Sequence, residues 1–460
     1  MSGLLVAAPH SGAGKTVVAL SLMRALRDGG VDVAPAKAGP DYIDATHHAV
    51  AAGSPSVNLD PWAMRPATIR ALAARPGTLV VEAAMGLFDG AADGTGSSAD
   101  LAAMLGLSTL LVMDCSRASQ SLAAVLRGFA SHRSDVPVRG VILNRVAGPR
   151  HARMVERAIT ELAEGAGIVH CGTIPRDPLM ALPSRHLGLV PAGEREGMEA
   201  FVAGAAELVA RHCDLAAVAR LAGDARGTGG EANGATDREM DRQANGQANG
   251  ATPVPLPPLG QRIAVARDVA FAFAYPHLLE GWRAAGASLH PFSPLADEAP
   301  DPEADAVFLP GGYPEFHAGA LAAAGRFRDG MAAAAERGAW VYGECGGYMV
   351  LGESLRDAEG HDHPMLGLLP LATSFAERRL QLGYRRIALR GDTPLGPAGT
   401  WLRGHEHHHA TVLGDAASQD GPAQRPFSAR GAEGDELGAH GLQRGRVIGS
   451  FLHVVDRETP

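Results

Sequence analysis

Apolar and polar positions fall into two alternating stretches separated by one break. In the first, short apolar runs at Gly3–Ala8, Leu79–Glu82, Thr109–Asp114 and Arg139–Asn144 alternate with segments of helical period such as Thr16–Arg27. Strands alternating with helices in this way predict a parallel sheet covered by helices. In the second, Arg262–Ala266, Ala306–Leu309 and Trp340–Tyr342 predict strands of the same kind, and strands around Tyr384–Leu389 and Val447–Phe451 complete that sheet. Between the two, residues 223–258 lose the pattern. Gly, Ala, Asn, Asp and Thr dominate, Ala-Asn-Gly-Ala-Thr occurs at 232–236 and again at 248–252, and Pro253, Pro255, Pro257 and Pro258 close the stretch. With almost no apolar residue to anchor it, this composition predicts a flexible linker. The expected organisation is an α/β domain over residues 1–222, a linker over 223–258 and a second α/β domain over 259–460.

The first strand runs into Pro9-His10-Ser11-Gly12-Ala13-Gly14-Lys15-Thr16 and then a helix. This is the phosphate-loop pattern with Pro9 in place of its first glycine. Small residues let backbone N–H groups wrap a phosphate, and the following helix N-terminus adds positive dipole. Lys15 is expected to reach the β- and γ-phosphates of ATP and Thr16 to ligate Mg2+.

Composition sharpens this. Among 41 basic residues only Lys15 and Lys37 are lysine, the rest being arginine. Arginine replaces lysine readily on a solvated surface, but not where a compact charge on a thin stem is needed. Lys37 lies in Pro35-Ala36-Lys37-Ala38-Gly39-Pro40-Asp41-Tyr42-Ile43-Asp44, just after an expected strand, where parallel sheets bind ligands. A cation there would stabilise charge on a transferring phosphoryl group, with Asp41 and Asp44 holding metal or polar substrate. Glu82 ends an apolar strand, the usual place for an acid near Mg2+, and Asp89 follows in Met85-Gly86-Leu87-Phe88-Asp89-Gly90.

Other counts bound the class. A net charge of −9 with no basic patch argues against a nucleic-acid binder, and the longest apolar segment, Leu101–Met113, is too short to span a bilayer. Cys115, Cys171, Cys213 and Cys345 show no disulfide or paired-ligand spacing. A start without a charged signal region fits a cytoplasmic protein.

In the second stretch, strand Trp340–Tyr342 leads into Gly343-Glu344-Cys345-Gly346-Gly347-Tyr348-Met349. Small neighbours permit a sharp strand-to-helix turn that presents a nucleophile, and the helix terminus is expected to lower the thiol pKa. The other three cysteines lack this setting. Gly311 and Gly312, in Leu309-Pro310-Gly311-Gly312-Tyr313, and Gly346 offer backbone N–H groups for an oxyanion hole, and His453 is a candidate general base. The run His405-Glu406-His407-His408-His409 satisfies the zinc-protease pattern by the letter, but Gly404 before it and Thr411-Val412 after it suit a loop entering a strand. A polar rim near the general base or a substrate carboxylate is the expected role.

The order of phosphate loop, Lys37–Asp44, Asn58-Leu59-Asp60-Pro61-Trp62-Ala63-Met64, Met85–Gly90 and Gly343–Met349 resembles the a,c-diamide synthases of cobalamin biosynthesis. The resemblance covers nearly the whole chain outside the linker. Asp60–Met64, Arg185-His186-Leu187-Gly188-Leu189 and Phe271-Ala272-Phe273 look more like members of the aerobic pathway, which act on hydrogenobyrinic acid, than like the anaerobic relatives that act on cobyrinic acid. It implies a dethiobiotin-synthetase-like phosphate-loop domain with a parallel sheet, then a class I glutamine amidotransferase α/β domain. ATP with Mg2+ would phosphorylate the a and c acetates in turn, and ammonia from L-glutamine would displace phosphate.

Carried over by the resemblance, Gly12, Gly14, Lys15 and Thr16 bind ATP, Lys37 and Asp41 serve phosphoryl transfer, and Asp44, Glu82 and Asp89 serve metal or corrinoid. Asn144 is a candidate adenine contact, Cys345 the nucleophile and His453 its base. Two aromatic positions of the family's Gly-His-Glu-Phe-His-Tyr run are His407 and His409 here. Many class I relatives carry an acid two residues after the base, where this chain has Val455; either Asp456 substitutes or a Cys–His dyad suffices. A homodimer is one assembly the resemblance admits. The competing classes are a relative that amidates four later carboxylates of the same ring, and a nucleotide-driven switch with a degenerate second domain.

Overall fold

The computed structural model describes residues 2–181, 184–185, 188–189, 197–223, 254–415 and 423–458. The chain divides into two compact units: Met1–Trp62 with Pro66–Ala251, and Ala63–Arg65 with Thr252–Pro460. Most of the expected linker, residues 224–253, lies outside the described residues, as does part of the Arg185–Leu189 motif. At the described ends of that stretch, Gly223 closes a helix, Leu215–Gly223, and Leu256, between Pro255 and Pro257, is buried at 1% exposure.

In the first unit, β1 (Gly3–Ala7), β2 (Val33–Ala38), β3 (Val57–Leu59), β4 (Thr78–Glu82), β5 (Ser108–Asp114), β6 (Val138–Val146) and β7 (Val169–Pro175) form one sheet in the order β3-β2-β4-β1-β5-β6-β7. Every pairing in it is parallel. Apolar residues fill these strands because both faces of the sheet are covered. Helix α1 (Lys15–Asp28) buries Val17, Val18, Leu20, Leu22, Met23 and Leu26 in a core shared with Leu4, Val6, Val80 and Val112. Helix α2 (Tyr42–Ala52) starts at Asp41, whose side chain accepts the Ile43 and Asp44 N–H groups, and ends at Gly53 with φ 71°. Asp41 is therefore an N-cap, the residue type best suited to satisfy the free amides of a first turn.

In the second unit, β8 (Arg262–Ala266), β9 (Ser288–Phe292), β10 (Ala306–Leu309), β11 (Trp340–Glu344), β16 (Leu442–Arg444) and β17 (Val447–Ser450) form a six-stranded sheet in the order β9-β8-β10-β11-β17-β16. All pairings but the last are parallel. The strand expected around Tyr384 does not join this sheet. Gln381–Leu389 is β12 of a separate antiparallel sheet with β13 (Trp401–His408), β14 (Phe427–Arg430), β15 (Glu436–His440) and β18 (Leu452–Arg457). Apolar periodicity registers that a strand is present, but not which sheet it joins. Helix α3 (Gly346–Leu351) follows β11 directly and is buried throughout.

Candidate functional site

Two clusters of buried polar groups stand out, one in each unit. Three of the four non-glycine residues with positive φ among those described lie in or beside them: Met85 at 47°, Arg145 at 58° and Cys345 at 46°. Such conformations cost energy and persist where surrounding structure enforces them, commonly at functional sites.

In the first unit, register builds the cluster. Lys37 on β2 pairs with Glu82 on β4, and Glu82 pairs with Val6 on β1, immediately before the phosphate loop. Lys15 Nζ stands 3.2 Å from Glu82 Oε1, Lys37 Nζ 3.1 Å from it, and the Thr16 hydroxyl donates to it at 2.6 Å. The other carboxylate oxygen is bound at 2.7 Å by His48 Nε2. Lys37 Nζ also donates to Asp44 Oδ2 at 2.5 Å, and Lys15 Nζ to the Ala83 carbonyl at 2.5 Å. The two lysines singled out by composition thus meet at one oxygen.

Electrostatics follow from burial and this convergence. Burial opposes charge on Glu82, but Lys37, Lys15 and His48 outweigh it and hold the carboxyl well below its ordinary range. Burial and then the neighbouring Lys37 lower Lys15. Burial works against Lys37 as well, yet Asp44, Glu82 and Asp41 together hold its ammonium above ordinary lysine. Asp41 is pushed up to about 6, by burial first and the Asp44 charge second. An incoming cation would favour the ionised form of such a carboxyl. Thr16, Asp41 and Glu82 offer oxygen donors of the kind Mg2+ takes beside substrate phosphates, while no group of three or more His, Cys, Asp or Glu able to hold a metal occurs among the described residues.

The loop itself needs glycine. Gly12 and Gly14 have φ +82° and +83°, and a Cβ on Gly14 would meet Asn144 Nδ2 at 2.4 Å. Asn144 also holds the loop. Its Nδ2 donates to the Ala13 carbonyl at 2.9 Å and its Oδ1 accepts the Arg145 N–H at 2.9 Å. Each end of the amide has capacity for two hydrogen bonds, so bracing the loop uses half of it. Arg145 reaches the Gly12 carbonyl at 2.7 Å and Asp114 at 2.8 Å. Asp89 accepts the Gly86 N–H at 2.8 Å, closing the turn after β4.

In the second unit, three adjacent strands, β10, β11 and β17, deliver Gly311, Cys345 and the segment leading to His453. The Cys345 N–H donates to the Ser450 carbonyl at 2.8 Å, tying the elbow to the end of β17. Cys345 has φ 46° and ψ −102°, the strained turn expected of a presented nucleophile. A Cβ on Gly311 would lie 2.6 Å from His453 Cε1 and 3.4 Å from Cys345 Cβ, so the two side chains flank one small space, and the Cys345 thiol donates to the His407 carbonyl at 3.9 Å. Gly346 abuts Gly312, its Cβ position lying 2.9 Å from the Gly312 nitrogen. The proposed oxyanion-hole glycines are thus beside the nucleophile.

Against expectation, the Cys345 thiol is raised. Burial dominates and the Glu315 charge adds to it, against a hydrogen bond from the Gly346 backbone. Burial also lifts Cys115 to about 12, Cys171 to about 11 and Cys213 to about 12.

The histidine run is strand, not loop: His405–His408 end β13. On a strand the side chains alternate. His405 stacks on His453, with ring centroids 4.8 Å apart and planes 6° apart, from the directly opposite position on β18. Its Nε2 meets the Tyr275 hydroxyl at 2.9 Å. Glu406 instead pairs with Arg385 at 2.9 Å and His408 at 3.0 Å. The helical face required for a zinc-protease site does not exist. Asp456 is bound by Arg65 of the same unit at 2.7 Å.

The sequence alone missed His48, His405 as a stacking partner and Glu344. His48 has a weak signal, lying four residues after Asp44 on α2. The other two depend on strand register.

A model of the CobQ/CobB/MinD/ParA nucleotide binding domain matches residues 4–190, and a model of the CobB/CobQ-like glutamine amidotransferase domain matches residues 262–459. The chain is 53% identical to the hydrogenobyrinate a,c-diamide synthase of Rhizobium meliloti (strain 1021), over 99% of both chains. It belongs to the hydrogenobyrinate a,c-diamide synthase family. Relatives of the same name from Sinorhizobium sp and Rhodobacter capsulatus are 52% and 48% identical, covering 99% and 98% of each chain. As in that family, a phosphate-loop α/β domain precedes an amidotransferase α/β domain. No helix among the described residues is long and apolar enough to cross a membrane.

Proposed function

We propose that this member of the hydrogenobyrinate a,c-diamide synthase family is a cytoplasmic ligase that uses ATP and glutamine to amidate the a and c acetates of hydrogenobyrinic acid. The observation that carries this reading is the convergence of Lys15, Lys37 and Thr16 on Glu82 in a chain that also sets Cys345 beside His453. The first arrangement suits phosphoryl transfer and the second suits release of ammonia.

A carboxylate is a poor acceptor for ammonia until its oxygen becomes a leaving group. An acetate oxygen would attack the γ-phosphorus of ATP, the bond to the β–γ bridging oxygen would break, and ADP would leave. Lys15 and Lys37 would neutralise charge spreading over the transferred phosphoryl oxygens. Mg2+, held by Thr16 with Asp41 or Glu82, would supply further neutralisation of phosphate charge when bound. Asn144 would serve the nucleotide by fixing the loop, and Asp44 by fixing Lys37.

In the second unit, the Cys345 thiol would pass its proton to His453 and attack the glutamine amide carbon. The resulting oxyanion would face the N–H groups around Gly311, Gly312 and Gly346. His453 would return the proton to the departing ammonia, and water would release glutamate from the thioester. Ammonia would then attack the acyl phosphate carbon, phosphate would leave, and the cycle would repeat for the second acetate.

Two outcomes follow. In Gly311→Ala the added methyl would press on His453, so glutamine-dependent turnover is expected to fall at least about tenfold while ammonia-dependent synthesis persists. Steady-state assays with each nitrogen source check this. Because Asp41 is raised to about 6, it protonates and loses its affinity for metal as pH falls through that value. The kcat/KM for ATP, which reports free-enzyme ionisations, is expected to rise with pH through this region and level off above it. Asp41→Asn should remove that limb.

The test of the whole reading is substrate choice. With ATP and glutamine present, hydrogenobyrinic acid should be converted to its diamide with release of glutamate, and cobyrinic acid at equal concentration should react more slowly. Preference for cobyrinic acid would overturn the substrate, and ATP hydrolysis without glutamate release would overturn the ligase.

A further inference from the structure

A general base acting on a thiol works best when its second ring nitrogen is held by a partner that fixes the ring and supports the imidazolium. The carboxylate of Glu344, the residue immediately before the nucleophile, lies within ion-pair distance of His453. Glu344 Oε2 lies 3.7 Å from His453 Nδ1, and the two side chains are 3% and 1% exposed. Neighbouring acids are engaged elsewhere. Asp456 binds Arg65, and Glu406 binds Arg385 and His408.

Glu344 is itself held rigidly. Its Oε1 accepts the Tyr342 hydroxyl at 2.8 Å and the Val454 N–H at 3.1 Å. The first contact comes from two residues back on β11, and the second from the backbone next to His453. Burial and the adjacent Glu344 push the Tyr342 hydroxyl well above its ordinary range, so it remains a donor. With Oε1 fixed by two donors, Oε2 faces the imidazole. One face of that imidazole is covered by the parallel ring of His405. Burial first, and then His453, keep His405 well below the ordinary histidine range, so it is a neutral plate and not a competing charge.

We propose that Glu344 is the positioning acid for His453, completing a Cys345–His453–Glu344 site in which the nucleophile and the acid are consecutive residues. This rests on the glutaminase reading of the second unit. Consecutive residues on an extended strand point to opposite sides, but the sharp turn at Cys345 breaks that alternation. The contact of 3.7 Å is one small shift from a hydrogen bond, and such contacts tighten when substrate is bound.

Glu344→Gln tests this, because the amide keeps an oxygen to accept from Tyr342 and Val454 while losing the charge. The expected result is a fall in kcat for glutamine-dependent amidation of about a hundredfold or more, with KM for glutamine within about twofold. Ammonia-dependent amidation should be unchanged. Glu344→Asp, with a shorter carboxylate, should recover part of the rate. Wild-type kcat in Glu344→Gln would overturn the proposal. Loss of ammonia-dependent amidation in the same variant would also overturn it, by making Glu344 a structural residue. Absence of glutaminase activity in the unmodified protein would instead refute the reading on which the proposal rests.

Discussion

A Cys345→Ala protein is expected to form no diamide from glutamine and to form it at close to the wild-type rate from ammonia. The expectation follows from the separation of the two chemistries. Cys345 sits on a strained elbow between β11 and α3, tied by its N–H to Ser450 and flanked by Gly311 and His453. None of these contacts involves the phosphate loop, Lys37 or Glu82. Removing the sulfur eliminates the covalent intermediate, and loss of a nucleophile of this kind costs about 10^4-fold or more. The elbow should survive, since alanine retains Cβ and the backbone hydrogen bond. Diamide formation followed with each nitrogen source, at alkaline pH where ammonia is unprotonated, checks the result. Loss of both activities would make Cys345 a structural residue.

The second large effect is expected at Lys37. Lys37→Arg should lower amidation from either nitrogen source by about a thousandfold, the scale on which a cation stabilises transferring phosphoryl charge. Lys37 is 3% exposed, and its ammonium is bracketed by Asp44 at 2.5 Å, Glu82 at 3.1 Å and the Ala83 carbonyl at 3.4 Å. A planar guanidinium cannot occupy that space with the same contacts. Because Lys15 is the lysine of the loop itself, KM for ATP should change far less than kcat. Diamide and ADP formation measured together separate the two. An arginine variant with wild-type turnover would show that Lys37 survives in this lysine-poor chain for another reason.

Much of this was legible before any coordinates. The phosphate loop, the Lys37 turn, Glu82 at a strand end and the Cys345 elbow are local signals, each contained in one stretch of chain. The strand and helix spans around them agree within a few residues because burial on both faces leaves continuous apolar runs. What remained hidden is what register decides. His405 and His453 lie 48 positions apart and become stacked partners only because β13 pairs with β18. Glu344 gains its place because Val454 is brought beside the end of β11. The sequence directs attention to acids following His453, yet Asp456 is taken by Arg65, a contact made across 391 positions. The hold of the Asn144 amide on the Ala13 carbonyl is likewise a product of register, made across 131 positions. The raised Cys345 thiol has a similar origin. The helix terminus is where the sequence places it, but burial and Glu315 outweigh the Gly346 backbone hydrogen bond.

The most direct test of the central claim, that ATP activates each acetate as an acyl phosphate before amidation, is an isotope transfer. Hydrogenobyrinic acid carrying 18O in its a and c carboxylates would be incubated with the protein, ATP and glutamine, and the phosphate analysed by mass spectrometry. The account predicts ADP as the nucleotide product and one labelled oxygen in inorganic phosphate for each amide formed. Unlabelled phosphate alongside diamide, or label appearing in AMP, would contradict it.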